Sequence, residues 1–234
     1  SVNWGAALVE RWGLGAQIGT SLNATADAVQ VMQRTEGTSG RTQNFTTAGV
    51  FQRTQCGFDW AVAYDFLYEN YYDRFGLGQW RLKLAYEFSA ANEVGVWATI
   101  SDHSDQGTYA GIPVTLRPIS QTNLYYRHTW CNCIDTTVWG GVADEHGQVN
   151  AVLGDLNSLK NQFTFGADLY IPLSDHLAIY GQGNFITPAS SGTVDSYLGL
   201  EYFPHGGARG ARRAQFAPLL PVAGSPTFAT DLSR

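Results

Sequence analysis

The chain has 234 residues, of which 44% are hydrophobic, 13% aromatic and 15% charged, with 26 glycines and a formal net charge of −6. Few charges combined with many aromatics and glycines are typical of a large antiparallel sheet, and the negative balance argues against nucleic acid as a partner. No run of about 18 apolar residues occurs, which excludes a membrane-spanning helix in this sequence but leaves a membrane β-barrel open.

The first part of the chain predicts three strands. It opens with SVNWGAALVE, which we interpret as a mature N-terminus, so we expect export by a signal peptide that is then cleaved. Residues 12–22 alternate bulky apolar side chains with glycine and glutamine, which predicts a strand with a nearly bare face that lets another segment pack closely. Residues 28–34 predict a weaker strand, residues 36–43 a polar loop, and residues 45–54 a further strand.

The clearest pattern runs from Phe58 to Phe88. In both halves of this stretch, aromatic and aliphatic side chains occupy every second position, and small or charged side chains fill the gaps. Because side chains alternate faces along a strand, the pattern predicts a β-hairpin with two long strands and a fairly wide loop.

The rest of the chain repeats this alternation in shorter stretches. Strands are predicted at residues 92–101, 112–116, 121–130, 136–143, 149–153, 162–171, 177–186 and 196–203. The stretch from Asp102 to Thr108 predicts a loop rich in oxygen ligands. Calcium binding by Asp102 and Asp105 is one interpretation, although acidic loops are more often simply solvated.

About twelve strands with short turns and no helix of useful length predict an all-β fold. We expect a single closed antiparallel up-and-down β-barrel over residues 1–203, similar to outer-membrane proteins, since closure removes exposed sheet edges. Residues 204–234 are predicted to form an extended docking tail rich in glycine and proline.

Two orientations fit the alternation: a soluble barrel with the rings inside, or a membrane-type barrel with the rings outside. The small and charged faces favour the second orientation. Its polar lumen would be lined by Asp59, Asp65, Arg81, Lys83 and Glu87. His128 and Arg53 share faces with aromatic residues, however, so we expect part of the wall to contact protein instead of lipid.

Three cysteines, Cys56, Cys131 and Cys133, leave several interpretations open. They are small wall residues, or Cys56 forms a disulfide with one of the other two and one thiol remains free. A metal site with His128 is the weakest interpretation, because zinc usually takes four ligands and the others are not evident. We therefore expect no metal or cofactor.

The tail combines prolines with apolar side chains that would be costly to leave in water. The prolines exclude a helix or a central strand, so the segment is expected to dock in extended form on its own barrel or on a neighbour's. The candidate assembly residues are Phe216, Leu219, Leu220, Val222 and Phe228.

Two blocks of sequence carry a resemblance to a known group of proteins. The stretch CGFDWAVAYDFLYENYYDRFGLGQWRLKLAYEF and the terminal FAPLLPVAGSPTF resemble the secreted, outer-membrane-type β-barrel proteins of unknown function in planctomycete bacteria. The segment from Gly199 to Phe203 also resembles the final-strand signal of outer-membrane proteins, with its last aromatic displaced by one position. The resemblance implies a barrel and a location in the cell envelope, and it brings no catalytic residues.

No nucleophile elbow, paired catalytic carboxylates, phosphate loop or zinc signature is present, so an enzyme is not expected.

The first functional hypothesis is a structural β-barrel of the cell envelope that assembles with copies of itself into a lattice, tube or fibre through its tail and wall. The alternative is a porin-like outer-membrane channel for small solutes. A lectin-like or other ligand-binding barrel is a third hypothesis. The expected partners are further copies of the chain and outer-membrane lipid.

Overall fold

The computed structural model describes residues 1–26, 40–71, 73–109, 111–144, 149–150, 154–155, 162–187, 194–203 and 206–233. Within these ranges the strands are β1 (Val2–Val9), β2 (Leu14–Ala26), β3 (Gly40–Arg53), β4 (Phe58–Asn70), β5 (Arg74–Ser89), β6 (Asn92–His103), β7 (Asp105–Tyr109), β8 (Ile112–Pro118), β9 (Gln121–Thr129), β10 (Asp135–Ala143), β11 (Val149–Asn150), β12 (Gly154–Asp155), β13 (Gln162–Pro172), β14 (Leu177–Ile186), β15 (Val194–Tyr202) and β16 (Thr230–Ser233). Two short 3-10 turns, Glu10–Trp12 and Ala208–Gly210, are the helical elements of the described chain. No helix in the described part is long and apolar enough to cross a membrane.

The all-β class is confirmed, whereas the closed barrel of about twelve strands is wrong. Eleven antiparallel strands form one sheet in the order β1-β2-β3-β4-β5-β6-β9-β10-β13-β14-β15. The sheet curls into a half-barrel, but β1 and β15 are not hydrogen-bonded to each other and both remain edges. An up-and-down sheet with an odd number of strands brings its first and last strands into the same direction, so only a parallel ladder could join them.

A second, smaller sheet has the order β12-β11-β16-β8-β7. It is built from the segment between β6 and β9, from two short strands between β10 and β13, and from the end of the chain, where Thr230–Ser233 pairs with residues 115–118. Here the sequence-based assignment was wrong twice. The predicted acidic loop over Asp102–Thr108 is the end of β6 followed by β7, and the chain end contributes a strand.

Most other strands agree with the prediction within a few residues, and β14 has the predicted bounds. β3 begins at Gly40, so residues 40–43, which were predicted to be part of the polar loop, belong to a strand. β1 was not predicted because Val2–Val9 lacks a clean alternation of apolar and polar side chains. The predicted strand at 28–34 lies outside the described residues, as do residues 151–153 of the predicted strand at 149–153.

The convex face of the large sheet is apolar. Large side chains are exposed there on almost every strand, including Trp80 at 43%, Leu84 at 52% and Leu124 at 65%. Among the described residues of the eleven strands, the alternation places only two Asp, Glu, Lys or Arg side chains on this face, Arg74 and Asp102, and both lie at strand ends.

The sequence-based interpretation of Arg53 as a charge within the apolar wall was wrong. Arg53, Phe45 and Phe51 do share a face, but that face is concave, and both rings are fully buried. His128 is on the convex face, at the penultimate position of β9, where its Nδ1 lies 2.8 Å from Asn92 Oδ1. The middle of the described wall is therefore free of charged side chains.

Candidate functional site

The concave face carries a row of ion pairs between neighbouring strands. Arg81 contacts Asp65 at 2.9 Å, and both side chains are almost completely buried. Further pairs on this face join Arg53 to Asp59 at 3.2 Å, Lys83 to Glu93 at 3.2 Å, Arg41 to Glu69 at 2.8 Å, and Arg127 to Glu93. Buried charges need partners of this kind, since an unpaired buried charge is strongly destabilising.

The five residues expected to line a lumen do not share one environment. Asp59, Asp65 and Arg81 are buried, Lys83 is largely covered, and Glu87 is at the rim with 41% of its side chain exposed. Arg81 and Lys83 border a partly open cavity, whereas the two aspartates lie behind their cationic partners. The structure thus brings these residues onto one face, with much of the enclosed space already occupied by the tail.

Arg81 and its neighbours hold the tail by its backbone. Arg81 donates to the carbonyl oxygen of Pro221 at 2.8 Å, and Gln79 donates to that of Thr227 at 2.9 Å. The amide of Ala223 donates to the hydroxyl of Thr47, which in turn donates to Asp65 at 2.7 Å. The charged centre of the sheet therefore supplies hydrogen-bond partners to a segment without regular secondary structure.

Gln17 on β2 makes the most complete contact with the tail. Its side-chain oxygen accepts the amides of Leu219 and Leu220 at 3.1 Å, and its side-chain nitrogen donates to the carbonyl of Leu220 at 3.0 Å. The nearly bare face predicted for this strand is where the tail packs. A Cβ atom at Gly19 would lie 2.5 Å from Val222, so a larger residue there would displace the tail.

The apolar tail residues are inserted beside the rings of the concave face. Leu219 and Leu220 pack in a buried cluster with Phe51, and Phe228 packs edge-on against Phe45 with 6.0 Å between ring centroids. Phe216 and Val222 are half-buried. Of the two dockings that the sequence left open, the described tail adopts the one on its own chain.

A partly open cavity of about 680 Å³ remains between the tail and the concave face of the large sheet. One wall combines Lys83, Glu93, Arg127 and the aromatic cluster formed by Tyr125, Trp97 and Trp139. The Tyr125 hydroxyl donates to Glu93 at 2.5 Å. Residues of both sheet edges, from Ser1 to Asn3 and from Leu200 to Phe203, also border the cavity.

Arg212 of the tail closes the opposite wall. Its guanidinium lies 4.8 Å from the ring centroid of Tyr170 and 5.0 Å from that of Tyr180, and it donates to Asp168 at 3.1 Å. Burial alone would lower the pKa of Arg212, but the Asp168 carboxylate and Tyr180 outweigh it, so the pKa is raised above its ordinary value. Arg212 is therefore a permanent cation at this site.

The candidate disulfide is not formed, and all three cysteines are free. Cys56 lies in the turn between β3 and β4, while Cys131 and Cys133 lie in the turn between β9 and β10. β4, β5, β6 and β9 separate these turns in the sheet, a distance of roughly 15–20 Å at the usual strand spacing. This exceeds the reach of a disulfide, which needs Cα atoms within about 7 Å. Because all three lie in turns, they are not wall residues either.

The acidic residues considered for calcium have other partners. Asp105 accepts the amides of Gly76 and Gln106 at 2.8 Å each, and Asp102 accepts the hydroxyl of Tyr64 at 3.0 Å. The bond from Gly76 fastens β7 of the small sheet to β5 of the large sheet, and the bond from Tyr64 links β4 to the end of β6. Across the described ranges, no three histidine, cysteine or acidic side chains form a group that could hold a metal ion.

Several residues that line the cavity were not predicted from the sequence, namely Glu93, Arg127, Asp168 and Arg212. The first three stand at inward positions of predicted strands, so extending the alternation of the central hairpin to β6, β9 and β13 would have found them. Arg212 lies in a basic stretch of the tail, and nothing local indicates that this stretch folds back into the sheet.

These features define a protein built on a curled antiparallel sheet, with an apolar outer wall and a polar interior filled by its own C-terminal segment. The chain belongs to a family of unknown function, DUF6666, whose family model matches residues 1–230. No curated protein matches the chain.

Proposed function

We propose that this chain is a membrane-embedded β-sheet protein of the cell envelope, with its convex wall in outer-membrane lipid and its interior plugged by its own tail. The observation that carries the proposal is the absence of charged side chains from the middle of the described convex wall. Soluble monomers rarely expose continuous apolar patches beyond a few hundred Å². An apolar outside around a charged inside is the arrangement of membrane barrels and the reverse of a soluble barrel.

Strand length and rim composition support the same proposal. A tilted strand needs about 9–11 residues to cross the hydrocarbon core of a membrane. β9 and β10 have 9 residues, β14 has 10 and β13 has 11. Exposed rings gather toward the strand ends, where aromatic belts lie in membrane proteins. At the end that carries the short turns they include Trp12, Tyr86, Phe88, Trp130 and Tyr202.

Lipid would impose one further requirement on the sheet. The free N–H and C=O groups of β1 and β15 would be costly in hydrocarbon, where no water can satisfy them. Both edge strands border the same cavity. We therefore propose that the inserted form closes by pairing β1 with β15 of the same chain in parallel.

The filled interior argues against donation of the tail to a neighbouring subunit. Barrels of eight strands are filled by their own side chains, and those of sixteen or more leave an aqueous channel. An eleven-stranded sheet lies between these cases, and here the tail occupies the intermediate space. The proposed protein is thus a plugged relative of a porin-like channel, and self-assembly would have to proceed through its wall.

Planar-bilayer recording tests this proposal. We expect the full chain to insert without ion-conducting steps, because the tail blocks the interior. A variant that ends at residue 213 should conduct, since it lacks the segment held by Gln17, Thr47, Gln79 and Arg81. A synthetic peptide of residues 214–233 should close it again. Circular dichroism controls for strand content. Steady conductance by the full chain, or silence of an inserted, strand-rich truncated chain, would contradict the plug.

A further inference from the structure

The cavity beside the tail has no role in the plug or in the wall. Its volume of about 680 Å³ falls within the range of small-molecule binding sites. Five cationic side chains border it, namely Arg53, Arg81, Lys83, Arg127 and Arg212. Three carboxylates do so, namely Glu93, Asp168 and Glu201. The space therefore has an excess of positive charge on its surface, because the partners of Arg53 and Arg81 lie behind them.

Three of these cations gather around one carboxylate. Lys83 and Arg127 both contact Glu93, and Arg53 is within electrostatic range of Arg127 and Glu93. A lysine ammonium offers three N–H donors and a guanidinium five. Glu93 engages the Nζ atom of Lys83 and one terminal nitrogen of Arg127, and that nitrogen also reaches Glu87 at the rim. Among the described residues, donors of both cations remain for a ligand.

An aromatic wall adjoins this cationic group. The Nζ atom of Lys83 lies 5.2 Å from the ring centroid of Tyr125. Tyr125 packs with Trp97 and Trp139, whose rings meet edge to face at 5.8 Å. The indole nitrogen of Trp139 donates to Asn184 at 2.9 Å, which fixes the orientation of the ring. A cationic patch beside fixed rings suits a ligand with an anionic group on a ring or a short apolar body.

We propose that this cavity binds a small organic anion whose phosphate or carboxylate contacts Lys83 and Arg127 and whose ring packs against Trp97 and Trp139. The anion is either a soluble molecule or the headgroup of an anionic lipid, since both present the same oxygen atoms. The site belongs to the folded chain whatever covers its convex wall. Failure of the lipid proposal would therefore leave this one standing.

Calorimetric titration of the full chain in non-ionic detergent tests the site, with phenyl phosphate as the soluble probe. The lipid arm compares nanodiscs of phosphatidylglycerol with nanodiscs of phosphatidylcholine. We expect saturable binding in at least one arm, weakened by salt. The variant Lys83→Met removes one cation from the site and leaves Glu93 in contact with Arg127 and Tyr125. It should weaken binding roughly 10-fold or more, as expected for a lost charge-assisted hydrogen bond.

Two further variants separate the site from general electrostatics. Trp97→Leu should weaken phenyl phosphate several-fold and leave inorganic phosphate unchanged. Arg41→Gln removes a cation from the same concave face outside the cavity, and it should change neither. Binding to phosphatidylglycerol alone would identify the lipid headgroup as the ligand. No saturable binding in either arm, or an equal loss in Arg41→Gln and Lys83→Met, would overturn the proposal.

Discussion

Arg81→Met should lower the free energy of unfolding by about 3–5 kcal/mol, the usual cost of removing one partner from a buried ion pair. Only 2% of the Arg81 side chain is exposed, and none of the Asp65 side chain. Without the guanidinium, the Asp65 carboxylate would remain buried with only neutral hydrogen-bond donors. The tail would also lose the donor to the Pro221 carbonyl. Urea unfolding in detergent, followed by circular dichroism, measures the change.

A matched control is available on the same face. Arg41 pairs with Glu69 at 2.8 Å, but 32% of its side chain is exposed. Glu69 is buried but keeps the Gln43 amide as a donor, so Arg41→Met should cost less than Arg81→Met, about 1–2 kcal/mol. A double variant, Arg81→Met with Asp65→Leu, should recover much of the stability, because it removes both buried charges together. Equal losses for Arg81→Met and Arg41→Met would mean that the central pair does not organise the interior.

Leu124→Arg should reduce membrane insertion by about 2–4 kcal/mol, the cost of an arginine on the lipid face near the middle of a membrane. Leu124 is 65% exposed on the convex face and sits near the centre of β9. On a protein surface that faces water, the same change would be neutral. Flotation with lipid vesicles measures the fraction of protein inserted.

The control for this substitution lies at the end of a strand on the same face. Asn70 is the last residue of β4, and Asn70→Arg should cost only about 0–1 kcal/mol, because arginine near the interface reaches the headgroups. If Leu124→Arg and Asn70→Arg float equally well, the middle of the wall is not in lipid.

The alternation of side chains predicts the strands well, because each strand has one face against the interior and one face outside. From Phe58 to Phe88 the pattern is clear on both sides of the connecting loop, and both strands form where it indicates. β1 lies against the same sheet without such a pattern. β1 is held by its pairing with β2 along its length. The sequence of β1 alone does not predict this pairing.

The orientation of β3 shows why faces are harder to predict than strands. Phe45 and Phe51 suggest an outward face by analogy with the aromatic residues of β4. They point inward because the tail, about 170 residues later in the chain, supplies Phe228, Leu219 and Leu220 as apolar partners. No local signal carries this information, so Arg53 was assigned to the wrong side of the wall.

Contacts between residues far apart in the sequence also decide which surface the tail docks on. Its prolines and apolar side chains indicate an extended docking segment; the described tail does dock, but residues 208–217 and 224–228 form successive turns instead of extended chain. The choice between its own sheet and a neighbour's depends on Gln17, Thr47 and Gly19, which form the surface that it meets. Individually these are ordinary strand residues.

Fluorescence quenching of single tryptophans by lipids with brominated acyl chains tests most directly whether the convex wall lies in lipid. One variant keeps only Trp80, which is 43% exposed on the convex face, and the other keeps only Trp139, which is 7% exposed on the concave face. Reconstituted in such vesicles, Trp80 should be strongly quenched and Trp139 should not. Equal quenching of the two, or an unquenched Trp80 in chains that form polymers without lipid, would contradict the account.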